Sequence, residues 1–181
     1  MDILSASYLD DTIAWYENDG AADPSFTASD IATDADGASS VFAADMDGDG
    51  DLDIWESIQD SSPNRILLND GEGNFIDSGQ SLGNSNSREV ALGDLDADGD
   101  LDAFVCNDGQ PNKVWINDGS GIFSDTGQSL GGNVASLGVS LGDVDGDGKA
   151  DLLETNGWWQ QKSAGELYEF FPFRFAESGG A

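Results

Sequence analysis

The 181-residue chain carries 36 Asp and Glu but only six Lys and Arg, which gives a formal net charge of −30 at pH 7. So few cations cannot form a basic patch, which argues against nucleic acid and against anionic membrane surfaces as partners. Hydrophobic residues make up 38% of the chain, too many for a disordered acidic tail, and the length suits one domain.

The start of the chain and its single cysteine give little information about the compartment. The first residues, MDILSAS, have neither the basic region nor the apolar region of a signal peptide, so we expect none in this chain. No apolar run is long enough to cross a membrane. Cys106 lies in the apolar run AFVC and is expected to be a small core residue.

Three acidic segments recur at a constant spacing. They read DMDGDGDLD, DLDADGDLD and DVDGDGKAD, and their first residues, Asp45, Asp94 and Asp143, are 49 positions apart each time. Short apolar runs lie between clusters of Gly, Asn, Asp and Ser, which is typical of an all-β chain with many turns. A fixed period of this size indicates a repeat architecture.

Four strands are predicted in each repeat. A first strand (VFAAD, VALGD, VSLGD) runs into the acidic segment, and a second (LDIWES, LDAFVC, ADLLET) follows it. A third strand (NRILLND, NKVWIND) begins after Pro63 or Pro111, and an Asn-Asp-Gly turn leads to a fourth. Four antiparallel strands per repeat form the blade of a β-propeller. A β-sandwich of hairpins is the alternative, but it does not predict the constant period.

The expected fold is therefore all-β, a partial propeller of three whole blades and an incomplete first blade within one domain, 1–181. Asp2 takes the place of Asp53, so the first unit lacks its opening strand and acidic loop. The last residues, FPFRFAESGGA, end where a further first strand is expected. The predicted repeat units are 1–40 (incomplete), 41–88, 89–137 and 138–181.

The acidic segments have the chemistry of calcium sites. In DxDxDGxxD the odd-numbered side chains converge on one point, while the glycine permits a sharp turn. Hard, oxygen-rich cages select Ca²⁺, whereas Mg²⁺ resists complete dehydration, so we expect three calcium ions, one per loop. The predicted ligands are four side chains and the carbonyl at position seven of each loop: Asp45, Asp47, Asp49, Asp51 and Asp53; Asp94, Asp96, Asp98, Asp100 and Asp102; Asp143, Asp145, Asp147, Lys149 and Asp151. In the third loop position seven is Lys149, whose cationic side chain cannot bind a metal cation. This supports the backbone carbonyl as the ligand at position seven.

Two further sequence patterns resemble calcium sites, but neither is assigned as one. Glu56 and Glu154 stand twelfth in their loops and satisfy the EF-hand pattern, but Val105 breaks it in the second loop. The flanking segments also have the periodicity of strands instead of helices, so the EF-hand interpretation is rejected. The segment DIATDADGA (30–38) has Ala32 at a ligand position and is interpreted as a linker between units.

With these loops and flanks, the chain resembles the FG-GAP/VCBS-type repeat along essentially its whole length. Such repeats form the blades of the seven-bladed propeller of integrin α-subunits, of many bacterial extracellular proteins and of some lectins. The resemblance implies that the acidic loop joins the first two strands and that its calcium is mainly structural. It also implies an extracellular or cell-surface location. Propellers of this family usually contain more blades than this chain does.

No catalytic machinery is predicted, so we expect that the chain is not an enzyme. It contains no histidine and no G-x-S-x-G motif, and its dense carboxylate clusters are assigned to metal. Two interpretations remain open. The chain is either a recognition or adhesion module for carbohydrate or extracellular protein, or a calcium-rigidified scaffold of a larger secreted protein that carries its catalytic or binding parts elsewhere.

Aromatic residues near turns are the candidates for a ligand-binding surface. Trp158 and Trp159 are the foremost candidates, since adjacent residues of a strand point to opposite faces and one ring is expected to be exposed. Trp15 is a further candidate. Trp115 and Tyr16 occupy third-strand positions equivalent to Leu67, and this periodicity favours a place in the core.

Overall fold

In the computed structural model, the described residues are 1–132, 135–154, 157–162 and 168–172. These ranges contain β-strands and no helix, and therefore no helix that could cross a membrane. The strands are β1 Ile3–Ser7, β2 Thr12–Asn18, β3 Phe26–Ala32, β4 Ala38–Ala44, β5 Asp53–Ile58, β6 Arg65–Asn69, β7 Phe75–Asp77, β8 Ser87–Gly93, β9 Asp102–Asn107, β10 Lys113–Asn117, β11 Phe123–Asp125, β12 Ser140–Gly142, β13 Asp151–Glu154, β14 Gly157–Gln160 and β15 Glu169–Pro172.

Consecutive strands pair antiparallel to form four separate sheets. Blade 1 has three strands (β1–β3), and blades 2, 3 and 4 have four strands each (β4–β7, β8–β11 and β12–β15). The first strands β4, β8 and β12 contact one another in sequence, and β1 contacts β4. The expected all-β architecture of propeller blades, three of them whole and the first incomplete, is confirmed.

The second strand of a blade is its most buried element. All six residues of β5 and all six of β9 are buried. Their sequences, DIWESI and DAFVCN, are apolar on both faces, as expected for a strand that is covered on both sides by neighbouring blades. Cys106 is fully buried in β9, and burial raises the pKa of its thiol. The prediction that it is a core residue is confirmed.

The hydrophobic core lies between the blades. One buried hydrophobic cluster lies between each pair of consecutive blades. Between blades 2 and 3, Trp55 is fully buried and its ring meets Phe123 edge-on, with centroids 5.2 Å apart. Each blade is therefore stabilised mainly by its neighbours, as in other repeat proteins.

The first strands of blades 2 and 3 begin earlier than the sequence indicated, whereas β12 of blade 4 begins at Ser140, one residue later. β4 starts at Ala38, and a bulge follows between Ala38 and Ser40, where the pairing register with β5 shifts. An equivalent bulge lies between Ser87 and Glu89 in β8. At the first bulge, the Ser39 hydroxyl donates to the carbonyl oxygen of Ser87 at 2.8 Å and thereby ties blade 2 to blade 3.

The linker assigned to residues 30–38 is shorter than expected. Residues 30–32 belong to β3, and Ala38 opens β4, so only residues 33–37 connect the two blades. Ala35 in this connection is fully buried. The expected start of a further first strand near the end of the chain falls on residues 173–181, which lie outside the described residues.

We predict that Trp55→Ala destabilises the protein by about 3–5 kcal/mol, because it removes the largest buried side chain between blades 2 and 3. Denaturant unfolding monitored by circular dichroism measures this loss. The matched control is Phe42→Ala, at a position of β4 that is 41% exposed, where a much smaller effect is expected. Equal effects of the two substitutions would contradict this account of the core.

Candidate metal centre

Each acidic loop joins the first and second strands of a four-stranded blade. The first aspartate follows directly after the first strand, and the ninth opens the second strand, as Asp53 opens β5 and Asp102 opens β9. Strand pairing brings these two ends together, because Ala44 faces Asp53 and Gly93 faces Asp102 across the ladder. The fold thus places the two ends of each loop side by side.

Three carboxylates converge in every loop. Those at positions one, three and nine each offer an oxygen, and these oxygens lie within 4.8 Å of one another. The arrangement recurs in all three loops, where the sequence predicted a cage. The converging groups are Asp45, Asp47 and Asp53; Asp94, Asp96 and Asp102; and Asp143, Asp145 and Asp151.

The first aspartate also shapes the turn of its loop. The Asp45 carboxylate accepts the backbone N–H of Gly48 at 2.8 Å and that of Gly50 at 3.1 Å. Gly50 has a φ of 97°, a left-handed conformation that strongly favours glycine. At position four of the second loop, Ala97 adopts a φ of 68°. Position six is therefore the glycine on which the loop depends.

Positions five and seven lie outside the cluster of three carboxylates. At position five, an oxygen of Asp49 accepts the N–H of Asp51 at 2.9 Å, and Asp98 and Asp147 make the same contact. At position seven, the Asp51 carboxylate lies over Gly71, where a β-carbon would be only 2.5 Å from its oxygen. This side chain therefore turns towards the hairpin, and use of the carbonyl at position seven stays a prediction.

The ninth aspartate is buried and joins three segments of its blade. The two oxygens of Asp102 accept the N–H of Leu95 at 2.7 Å and of Asn117 at 2.9 Å. Asp53 makes the equivalent bonds to Met46 and Asn69, both at 2.9 Å. Burial raises the pKa of Asp102 to about 6. This position therefore links the loop to the second and third strands in addition to facing the cage.

The asparagine at the end of the third strand is a site residue that the sequence analysis missed. The Asn117 side-chain amide donates to the carbonyl oxygens of Met46 at 2.8 Å and Leu101 at 3.2 Å. Asn69 donates likewise to Leu52 at 3.1 Å. The sequence treated these residues only as parts of a turn. Their recurrence directly before Asp-Gly was the signal that could have identified them.

The third loop is more exposed than the other two. Asp143 and Asp145 are exposed, and the next residue after the first aspartate, Val144, is 42% exposed. The equivalent residues Met46 and Leu95 are each only 2% exposed. The Lys149 ammonium at position seven contacts Asp147 at 3.0 Å and donates to the Lys162 carbonyl oxygen at 2.9 Å.

The structure excludes the EF-hand interpretation for the described loops. Glu56 and Glu154, the twelfth residues, lie in strands β5 and β13 and have partners away from the cages. Glu56 is fully buried and pairs with Arg65 at 2.8 Å, and Glu154 accepts a hydrogen bond from Asn112 at 2.6 Å. Burial raises the pKa of both carboxyls.

The tryptophan pair forms a strand, but both rings are half-buried. Trp158 stacks on Phe171 with centroids 4.9 Å apart, and the Lys162 ammonium lies 5.2 Å from the Phe171 ring. Trp159 contacts Phe170 and packs against the core between blades 3 and 4. Of the two rings, Trp158 is therefore the one placed for a surface role.

The other aromatic candidates contribute to the packing between and within blades. Trp115 is buried and belongs to the cluster between blades 2 and 3, and Leu67 is buried beside blade 1. Tyr16 and Trp15 are half-buried in β2. The periodicity argument thus holds fully for Trp115 and Leu67 and only partly for Tyr16.

The donor set of the three cages fits a hard divalent cation. Each cage consists of carboxylate oxygens, with no sulfur or imidazole among its members. Carboxylates this close repel one another, and burial together with the neighbouring Asp98 and Asp94 raises the pKa of Asp96. A cation bound at the centre would relieve this repulsion.

Comparison with known proteins supports the fold. The chain is similar in structure to a lectin of Agrocybe aegerita, described for specific recognition of non-reducing terminal N-acetylglucosamine, with a TM-score of 0.57 and 23% identity. This match covers 99% of the chain but only 50% of the lectin, so the chain spans about half of its length. The biofilm matrix protein Bap1 of V. cholerae has a TM-score of 0.44 and 16% identity, over 96% of this chain and 30% of Bap1.

The sequence comparisons identify the family. No curated protein sequence matches the chain. A family model described as the FG-GAP-like repeat matches residues 1–55, 57–105 and 94–154. Because these matches cover most of its length, the chain belongs to the FG-GAP-like repeat family.

Proposed function

We propose that the chain is a calcium-stabilised propeller segment that acts outside the cell as a recognition module for carbohydrate or protein. The observation that carries the calcium assignment is the repetition of one cage in three loops, each with carboxylate oxygens within 4.8 Å of one another. Calcium in these cages is structural, and the proposal assigns no catalytic role to the chain.

The residues of each cage would contribute to ion binding in different ways. The carboxylates at positions one, three and five and the carbonyl at position seven would supply most of the oxygens. The ninth aspartate would add an oxygen while its backbone bonds fix the second and third strands. A bound divalent cation supplies positive charge at the centre of the loop, and three of them would bring the formal charge from −30 to −24.

Recognition of carbohydrate is supported by two features. The lectin of similar fold recognises N-acetylglucosamine, and Trp158 presents an aromatic ring that can stack on the apolar face of a sugar. The stack of Trp158 on Phe171, with Lys162 beside it, is held by the outer strands β14 and β15. We propose this stack as the ligand-binding surface.

A scaffold role is the second candidate function, in which a larger secreted protein carries the binding parts elsewhere. It is favoured by the packing of the tryptophans, because both rings are half-buried against phenylalanines of their own blade. Calcium dependence follows from either function, so the two candidates differ only in whether the chain itself binds a ligand.

We predict that the chain binds three calcium ions and that its melting temperature falls when EDTA removes them. Extracellular modules bind calcium weakly, with dissociation constants of about 10⁻⁴–10⁻³ M, so millimolar calcium is required. Calorimetric titration counts the ions and thermal unfolding in both buffers measures the shift. An unchanged melting temperature with no bound calcium would refute the calcium assignment.

We predict that Asp102→Ala and Asp98→Ala have different effects in EDTA. Asp102→Ala leaves the buried amides of Leu95 and Asn117 without an acceptor and costs about 2 kcal/mol or more even without calcium. Asp98 is exposed, so its replacement weakens calcium binding at one loop while stability in EDTA stays unchanged. Denaturant unfolding with and without calcium tests this, and identical profiles for the two variants would argue against the separate roles.

We predict that Trp158→Ala abolishes binding to glycans ending in N-acetylglucosamine, because it removes the exposed face of the aromatic stack. A glycan array with the calcium-loaded chain makes the measurement, and Phe26→Ala, at an aromatic position of β3 that is 42% exposed, is the matched control. If the unsubstituted chain binds no glycan and no extracellular protein, the scaffold role is favoured instead.

A further inference from the structure

Strand β3 forms the outer edge of blade 1 and is longer than the outer strands of blades 2 and 3. It spans seven residues, Phe26–Ala32, whereas β7 and β11 span three residues each. The first five residues of β3 are exposed. In the described part of the chain, β3 pairs with β2 alone. Blade 1 therefore presents a long strand with unpaired backbone groups at its outer side.

Every second residue of β3 turns its backbone N–H and C=O towards this free edge. The Asp19 N–H donates to the Ser25 carbonyl oxygen at 3.1 Å, directly before the strand. Hydrogen-bonded and non-bonded pairs alternate along an antiparallel ladder, so the register of β2 with β3 makes Thr27 and Ser29 the residues that bond to β2. The residues that point outward are Phe26, Ala28 and Asp30.

The free edge has few of the features that prevent a further strand from pairing. Natural edge strands are blunted by shortness, by Lys or Pro, or by a bulge. The pairing of β2 with β3 is regular from Phe26 to Asp30, and the one irregularity lies beyond this stretch, at Ile13 and Ala14. The sequence of the stretch, FTASD, has small side chains at its centre and one charged residue. Another strand can therefore approach it closely.

Asp30 has no cationic neighbour of the kind found in blades 2 and 3. The Arg65 guanidinium of β6 lies 3.9 Å from the Asp77 carboxylate of β7, and Lys113 of β10 lies 3.6 Å from the aspartate of β11. The repeat equivalent of Arg65 and Lys113 is Ala14, which faces Asp30 across the ladder. None of the ion pairs among the described residues includes Asp30.

The surroundings of this edge are acidic as well. Residues 1–37 contain nine Asp and Glu and no Lys or Arg. The first cation along the chain, Arg65, is already engaged by Glu56 at 2.8 Å and by Asp34 at 3.5 Å. A second copy of β3 would bring another Asp30 to the same edge and add to the repulsion. A strand with Lys or Arg would instead supply the positive charge that Ala14 lacks.

We propose that the outer edge of β3 binds an extended, basic segment of a partner protein by strand addition. The backbone of the segment pairs with the outward N–H and C=O groups of Phe26, Ala28 and Asp30. A Lys or Arg side chain of the segment pairs with the Asp30 carboxylate. This site is separate from the acidic cages and from the stack of Trp158 on Phe171, so the inference does not depend on binding of calcium or carbohydrate.

The synthetic peptide TKVKVKT, with both ends blocked, tests the proposal. We expect it to bind the full chain at a salt concentration of about 0.15 M, where exposed charges more than about 8 Å apart are largely screened. The peptide TKPKPKT has the same charge but cannot form a regular ladder, and TEVEVET can form a ladder but has the opposite charge. Both control peptides should bind at least about tenfold more weakly, as measured by calorimetry.

Ala28→Pro should weaken binding of TKVKVKT by about tenfold or more, because it removes an outward N–H while the ladder with β2 keeps its bonds. Ala28→Val keeps this N–H and is the matched control. Asp30→Asn should weaken binding about two- to fivefold, as expected for one exposed ion pair. Glu72→Gln, which removes one exposed charge from the hairpin of blade 2, should leave binding unchanged. Thermal unfolding of each variant checks that the fold is retained.

Hydrogen exchange followed by NMR provides a test that needs no substitution. In the free chain, the amides of Thr27 and Ser29 should exchange slowly and those of Ala28 and Asp30 rapidly. Addition of TKVKVKT should slow the exchange of Ala28 and Asp30, because their N–H groups then have acceptors in the peptide. Unchanged exchange at Ala28 and Asp30 with the peptide bound would place the peptide elsewhere and overturn the inference.

Three further outcomes would overturn the inference. If TKVKVKT does not bind, the edge is not a docking site. If TKPKPKT binds as well as TKVKVKT, or Ala28→Pro has no effect, binding reflects only the charge of the chain. If the chain itself forms a dimer in light scattering that Ala28→Pro dissociates, the occupant is a second copy and not a basic partner. Trp158→Ala should leave peptide binding unchanged, so failure of this site and failure of the proposed function are distinguishable.

Discussion

The buried aspartate that opens the second strand of each whole blade is the contact on which the blade depends. Its two oxygens accept amides from the loop before it and from the third strand beyond it, as Asp102 does with Leu95 and Asn117. Burying a carboxylate is costly unless its oxygens are satisfied, and here burial raises the pKa of Asp102 to about 6. The same side chain faces the cage, so in our proposal calcium binding and blade folding are coupled through one residue.

This coupling extends from each blade to the next. The amide that contacts the ninth aspartate belongs to a residue whose side chain packs in the space between blades, as Met46 does beside Phe123. The Asn117 side chain of blade 3 then holds the Met46 carbonyl oxygen of blade 2. Loop closure therefore determines both the position of the cage and the packing of the neighbouring blade.

Part of the acidity of the chain has the same structural basis. A loop that places three carboxylates within 4.8 Å of one another opposes its own folding through charge repulsion. Many backbone N–H groups are turned towards these carboxylates, as at Gly48 and Gly50, and offset part of the repulsion. A divalent cation offsets far more, since its charge lies at the centre of the cluster. Calcium in our proposal is therefore part of the fold.

The sequence by itself determined the repeat, the four-strand blade and the three aspartates that converge in each loop. These features are local: alternation of apolar residues sets a strand, and odd-numbered aspartates around a glycine define a loop wherever they occur. The expectation of an incomplete first blade also followed from alignment alone, with Asp2 in the place of Asp53. Whether calcium occupies the cages stays a prediction.

Only the tertiary structure decided how the repeats meet. The role of Asn117 depends on a carbonyl from another blade, 71 positions away in sequence, so no local pattern could reveal it. The half-burial of Trp158 and Trp159 depends on the strand that pairs beside them, which alternation cannot specify. The sequence pattern of a segment determines whether it forms a strand or a loop. Which of its side chains are buried depends on the surfaces that the folded chain brings into contact.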